Sequence, residues 1–167
     1  VKKLHRVGLS MGGRIARNVA LRVPERVHSI VMISTDPGFD TLPTSRVMQF
    51  VNERRVRTPQ SLKTLLGSGS RRAAYEELLD SVSRIHEASY QKTLEASVAQ
   101  DRGAPIEKIR VPTLVIAGEE DTAYPPELAE EMARRIPGAE FVMFERTGHL
   151  ANLEQPDKFN QIVFDFI

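Results

Sequence analysis

Three side chains of this 167-residue chain have the chemistry that nucleophilic attack on a carbonyl requires. They are the alcohol of Ser10 in GLSMGG, the carboxylate of Asp121 in GEED and the imidazole of His149 in ERTGHLANLEQP. A serine hydroxyl is a weak nucleophile until a base takes its proton, and an imidazole oriented by a carboxylate is such a base. GLSMGG has four readings. It is a chance match, or a dinucleotide-binding turn, although Ser10 stands where that fingerprint needs a glycine beside the phosphates. It is a helix start with Ser10 as N-cap, or a nucleophile elbow, a tight strand-to-helix turn that projects the serine above a sheet. In the elbow reading Gly8 and Gly12 avoid collisions with the neighbouring strand and helix, and the Met11 N–H, at the positive end of the helix, is an oxyanion donor.

The elbow reading makes demands elsewhere, namely an acid and then a histidine, each beyond the carboxyl end of a strand. Four β-rich apolar runs are present: Leu4 to Leu9, Val27 to Ser34, Thr113 to Ala117 and Glu140 to Phe144. Three are nearly continuous rather than alternating, the pattern of parallel strands covered on both faces. Apolar spacing predicts a helix from Met11 to Val23, ended by Pro24. A second helix lies in PPELAEEMARRIPG and a third in PDKFNQIVFDFI, both opened by proline. Alternating strands and helices predict an α/β fold of about four mostly parallel strands flanked by helices. Asp121 then follows the third strand and His149 the fourth, on the edge where open α/β sheets bind ligands. Each has a plainer reading: GEED as a solvated turn, and His149 as a helix cap or a partner for a loop carbonyl. His5 and His28 sit near strand starts, and His86 falls in the middle of the chain.

Residues 41–105 break the rhythm. They hold no convincing strand and read as short helices punctuated by Pro43, Pro59 and a Gly/Ser hinge, GSGS at 67–70. The predicted organisation is therefore a core segment 1–40, a helical insertion 41–105 and a core segment 106–167. Formal net charge is +1, with 23 basic and 22 acidic side chains, so no overall field recruits nucleic acid or an anionic membrane. No apolar run approaches membrane-spanning length and none resembles a signal segment, which predicts a cytoplasmic location. The chain has no cysteine, and its four histidines are scattered, so neither a structural metal nor a cofactor is expected.

Taken together, GLSMGG, VPTLVIAGEED and ERTGHLANLEQPDKFNQIVFDFI resemble the α/β-hydrolase superfamily, in its serine esterase, lactonase and carbon–carbon bond hydrolase branch. The resemblance implies Ser10 as nucleophile, Asp121 as acid and His149 as base. Asp36 in STDPGFD is an alternative acid, since some members carry the carboxylate after that strand. It also implies that 41–105 is a cap roofing the site and that the reaction is ester or lactone hydrolysis through an acyl-enzyme, while the absence of any concentrated charge points to a small to medium, largely apolar acyl substrate. A carbon–carbon hydrolase, a lyase, a cofactor-free perhydrolase and a non-catalytic binding module on the same fold are the alternatives. Members carry about four further strands before the elbow and a second oxyanion donor. This chain opens at Val1, directly before the elbow strand, and so is expected to be the C-terminal portion of such an enzyme. By itself it is expected to be impaired in activity and prone to self-association through its uncovered first strand.

Overall fold

The computed structural model describes residues 2–38, 58–99 and 104–167, with backbone only at 97–99. Four strands, β1 (Leu4–Leu9), β2 (Val27–Ile33), β3 (Thr113–Gly118) and β4 (Glu140–Phe144), form one parallel sheet in the order β1-β2-β3-β4. Register runs from Leu9 opposite Ile33, through Ile33 opposite Ile116, to Gly118 opposite Phe144, so all four strands end along a common edge.

Because the order advances in a single direction, right-handed crossovers put both connecting helices on one face. These are α1 (Met11–Arg22) and, in chain order after the insertion, α5 (Pro126–Arg135). Ala16, Ala20, Ile30, Met32, Val115, Met132 and Ile136 close that layer together with the fully buried Ile106 and Ile109. The opposite face is covered by α7 (Pro156–Phe166), which returns after β4 and sets Phe159 and Val163 on Val31, Ile33, Leu114 and Ile116. Successive residues of β2 and β3 thus enter opposite layers, which is why both strands read as continuous apolar runs. Each fully buried isoleucine contributes about 1.5–3 kcal/mol relative to exposure. Among the described residues β1 pairs only with β2, and it leaves Leu4 and Val7 about half exposed.

The insertion contributes three helices among the described residues: α2 (Pro59–Lys63), α3 (Arg72–Ser83) and α4 (Glu87–Ala99). Pro59 opens α2 at its first position, with Thr58 and Ser61 forming a reciprocal capping box. Pro43 and the end of STDPGFD lie outside the described residues. No described helix is long and apolar enough to cross a membrane. A further short helix, α6 (Ala151–Glu154), begins two residues after His149, with Leu150 as its N-cap.

Candidate active site

Ser10 joins β1 to α1 with φ 54° and ψ −117°, a region in which a residue with a side chain costs on the order of 1–3 kcal/mol. The surrounding bonds hold it there. Its N–H donates to Ile33 O at 2.8 Å, and its carbonyl accepts from Gly13 and Arg14 N–H and from Thr35 Oγ1 at 2.8 Å. The hydroxyl does not cap α1 and makes no hydrogen bond among the described residues, which removes the N-cap reading of Ser10. The steric demand for glycine is only partly where the motif places it. A Cβ on Gly8 would lie 2.2 Å from Gly12 O, and one on Gly13 would lie 2.7 Å from Thr35 Cγ2. A Cβ on Gly12 meets nothing within 4 Å, so among the described residues the collision expected at Gly12 falls on Gly13 instead. The Met11 N–H is in the first turn of α1, which has no intrahelical acceptor, and no backbone carbonyl of the described residues takes it.

Asp121 and His149 are brought together. The turn after β3 folds so that Asp121 Oδ1 accepts the N–H groups of Ala123 and Tyr124, both at 2.9 Å, a local Asx arrangement. Oδ2 is left to the imidazole and takes His149 Nδ1 at 2.8 Å, with both residues buried. A carboxylate only accepts, so Nδ1 carries the proton and, in the neutral ring, Nε2 keeps its lone pair. Tyr124 lies nearly parallel to the imidazole, 16° between planes and 5.4 Å between centroids, and shields one face of the ring. Ser10 makes no hydrogen bond to either partner, so the contact formed is the acid–imidazole one. Asp36, buried after β2, accepts the Gly38 N–H at 2.6 Å on its own carboxylate, while its carbonyl takes Arg17 Nη1; it does not contact His149. His5 bonds Ser29 near the opposite end of the sheet and packs edge-on against His28, and His86 is exposed.

β1 and β4 are separated by three strand spacings, about 14 Å, so a histidine following β4 serves a serine following β1 only if its loop turns back across the sheet end. The loop from Glu145 to Leu150 crosses over β3, where Glu120 N–H donates to Thr147 O at 2.8 Å. A Cβ on Gly118 would lie 2.0 Å from Gly148 O, and one on Gly148 would lie 2.5 Å from Leu65 O, so both glycines are required by close approach. Gly148→Ala is expected to cost about 1–3 kcal/mol through overpacking. That lowers the melting temperature by roughly 2–12 °C for a chain of this size, as read by thermal denaturation followed by circular dichroism.

GSGS differs from its reading as a hinge. Its glycines are there for contact: a Cβ on Gly67 would lie 2.5 Å from Arg146 O, and one on Gly69 2.8 Å from the same atom. Gly69 N–H donates to Arg146 O, and Glu120 accepts the N–H and the hydroxyl of Ser68. The Ser68 N–H and then its hydroxyl hold the Glu120 carboxyl below the ordinary carboxylate range. This contact therefore contributes above the ordinary value and is lost only as pH falls through the lowered one. Glu119 and Glu120 are exposed in the turn after β3, where Glu119 accepts the Arg146 N–H at 2.8 Å, while Asp121 of the same GEED is buried, so the solvated-turn reading holds for the two glutamates and not for the aspartate. Tyr124 and Glu154, which shape this corner, were not singled out by residue type. The only trace of them in the sequence is position, Tyr124 three residues after Asp121 and Glu154 five after His149.

A model of the alpha/beta hydrolase family matches residues 4–162. The chain belongs to the alpha/beta hydrolase family. Among curated relatives it is 33% identical, over 181 aligned positions, to a 2-hydroxy-6-oxononadienedioate/2-hydroxy-6-oxononatrienedioate hydrolase of Paraburkholderia phymatum, covering 100% of this chain and 63% of that protein. Among solved structures it is similar to an N-acyl homoserine lactone degrading enzyme, with TM-score 0.78 and 27% identity, covering 100% of this chain and 68% of that one. It is also similar to a thermophilic esterase from Thermogutta terrifontis, with TM-score 0.79 and 26% identity, covering 98% and 64%. This alpha/beta hydrolase chain spans about 63% of the length of the curated relatives it matches. The four-stranded sheet with flanking helices is a partial alpha/beta hydrolase fold.

Proposed function

We propose that this chain carries the reacting side chains of a serine hydrolase, with Ser10 as nucleophile, His149 as base and Asp121 as the acid that orients it. The observation that carries this reading is the buried His149–Asp121 bond on the strand edge where Ser10 is held at positive φ. In the first step His149 Nε2 takes the Ser10 proton as Oγ adds to an ester or lactone carbonyl. The Met11 N–H donates to the oxygen that gains charge. Collapse expels the alcohol, protonated by His149, and leaves an acyl-serine. Water, deprotonated by the same nitrogen, then releases the acid and restores Ser10. The helices of 58–99 supply part of a cap that sets substrate choice.

A second reading is hydrolysis of a carbon–carbon bond beside a ketone. It is favoured by the 33% identity, along the whole chain, to a relative named for 2-hydroxy-6-oxononadienedioate. Assaying p-nitrophenyl butyrate, an N-acyl homoserine lactone and 2-hydroxy-6-oxononadienedioate side by side separates the two. Ester or lactone turnover at least 100-fold above a Ser10→Ala control supports the first reading. Turnover of the ketone alone supports the second, and equal rates in protein and control on all three end both.

A further inference from the structure

The Glu154 carboxylate is buried, with the residue 4% exposed, yet no cation is paired with it among the described contacts. Four donors converge on it instead. Oε2 accepts the Gly67 N–H at 2.7 Å and the Ser70 hydroxyl; Oε1 accepts the Leu150 N–H at 3.2 Å; and the Gly148 N–H is shared between the two oxygens at 3.0 and 3.1 Å. Two donors thus come from the insertion, 84 and 87 residues away in sequence, and two from the residues on either side of His149. The His149 N–H itself donates to Leu65 O at 2.7 Å, in the same insertion segment. A carboxylate presents about four acceptor positions and no donor, so the side chain is matched to its surroundings.

We infer that Glu154 is a positioning residue, locking the backbone around His149 to the insertion segment 65–70, so that the aim of the imidazole depends on that segment being docked. The inference rests on His149 acting as the base. Its chemistry predicts which substitution fails. Glutamine keeps the size of the side chain but turns one oxygen into an NH2 group. If the amide faces Gly67 and Ser70 it opposes the Gly67 N–H, while the Ser70 hydroxyl can turn and accept from it; in the flipped orientation it opposes the N–H groups of Gly148 and Leu150. Either orientation loses at least one backbone tie of the lock. Ser70→Ala cuts a single tie to the insertion and leaves the bonds beside His149 in place.

The test combines turnover with a probe that does not depend on it. The probe is the downfield proton resonance of the His149 Nδ1–H bonded to Asp121, assigned by its loss in His149→Gln. Glu154→Gln is expected to lower kcat by about 10- to 100-fold with KM within about threefold, the loss that a small misplacement of a reacting group causes. Its ring resonance broadens through faster exchange with water, and Ser70→Ala moves both readouts in the same direction by a smaller factor. A folded Glu154→Gln protein with kcat within twofold of the parent overturns the inference. So does an unchanged ring resonance accompanied only by a lower melting temperature, which marks a purely structural role. If the parent and Ser10→Ala turn over substrate alike, the reading of the reaction fails, and the resonance alone still decides whether Glu154 positions the imidazole.

Discussion

Ser10→Ala is expected to abolish labelling by a fluorophosphonate and to lower turnover on the order of 10⁶-fold, the scale lost when a triad nucleophile is removed. The melting temperature should scarcely move. Ser10 already carries a Cβ at φ 54°, so alanine adds no strain, and the bonds that hold the turn use the backbone of residue 10. The hydroxyl has no hydrogen-bond partner among the described residues, so its removal leaves no donor unmatched there. Substitutions of this kind change stability by about 0.5 kcal/mol or less. The two readouts together are what make the result informative, because a large kinetic loss without a stability loss marks a group whose work is done in the reaction. Undiminished labelling of the alanine variant at another serine would remove Ser10 from the chemistry.

Asp121→Asn is expected to cost about 10⁴-fold in kcat, and the reason lies in the direction of the bonds around it. One side-chain atom of residue 121 must go on accepting the N–H groups of Ala123 and Tyr124. In asparagine only the oxygen can do so, which turns the NH2 group toward His149. The imidazole answers by accepting at Nδ1 and carrying its proton on Nε2, the nitrogen that has to take the serine proton. Geometry survives while the base is lost. Asp36→Asn is the control: its carboxylate accepts from Gly38 and does not touch His149, so kcat should stay within about tenfold. Steady-state kinetics of both variants on one substrate decide the matter, and a larger loss from Asp36→Asn would assign the acid to the second strand.

The elements were legible because each advertises itself locally. Val27–Ile33 and Thr113–Gly118 are buried on both faces and so read as unbroken apolar runs, while Pro126 and Pro156 open helices at the position where a missing N–H costs nothing. The elbow was legible as well, since Gly8 has a reason that lies only four residues away. GSGS was misread because a missing side chain looks the same in a sequence whether it grants freedom or permits contact. Only the position of Arg146 O shows that Gly67 and Gly69 serve contact. Gly12 illustrates the converse, a motif glycine with open space around its Cβ.

The sequence by itself determined the α/β class, the order of the elements and the three residue types that end up along one strand edge, because those follow from periodicity and from the few residues on either side. Tertiary structure alone decided that His149 pairs with Asp121 rather than Asp36, that Tyr124 covers the imidazole, and that Glu154 joins the histidine loop to residues 67 and 70. These contacts span 25 to 87 residues of chain. Each depends on where a loop crosses the end of a neighbouring strand, a distance that no local pattern of side chains encodes.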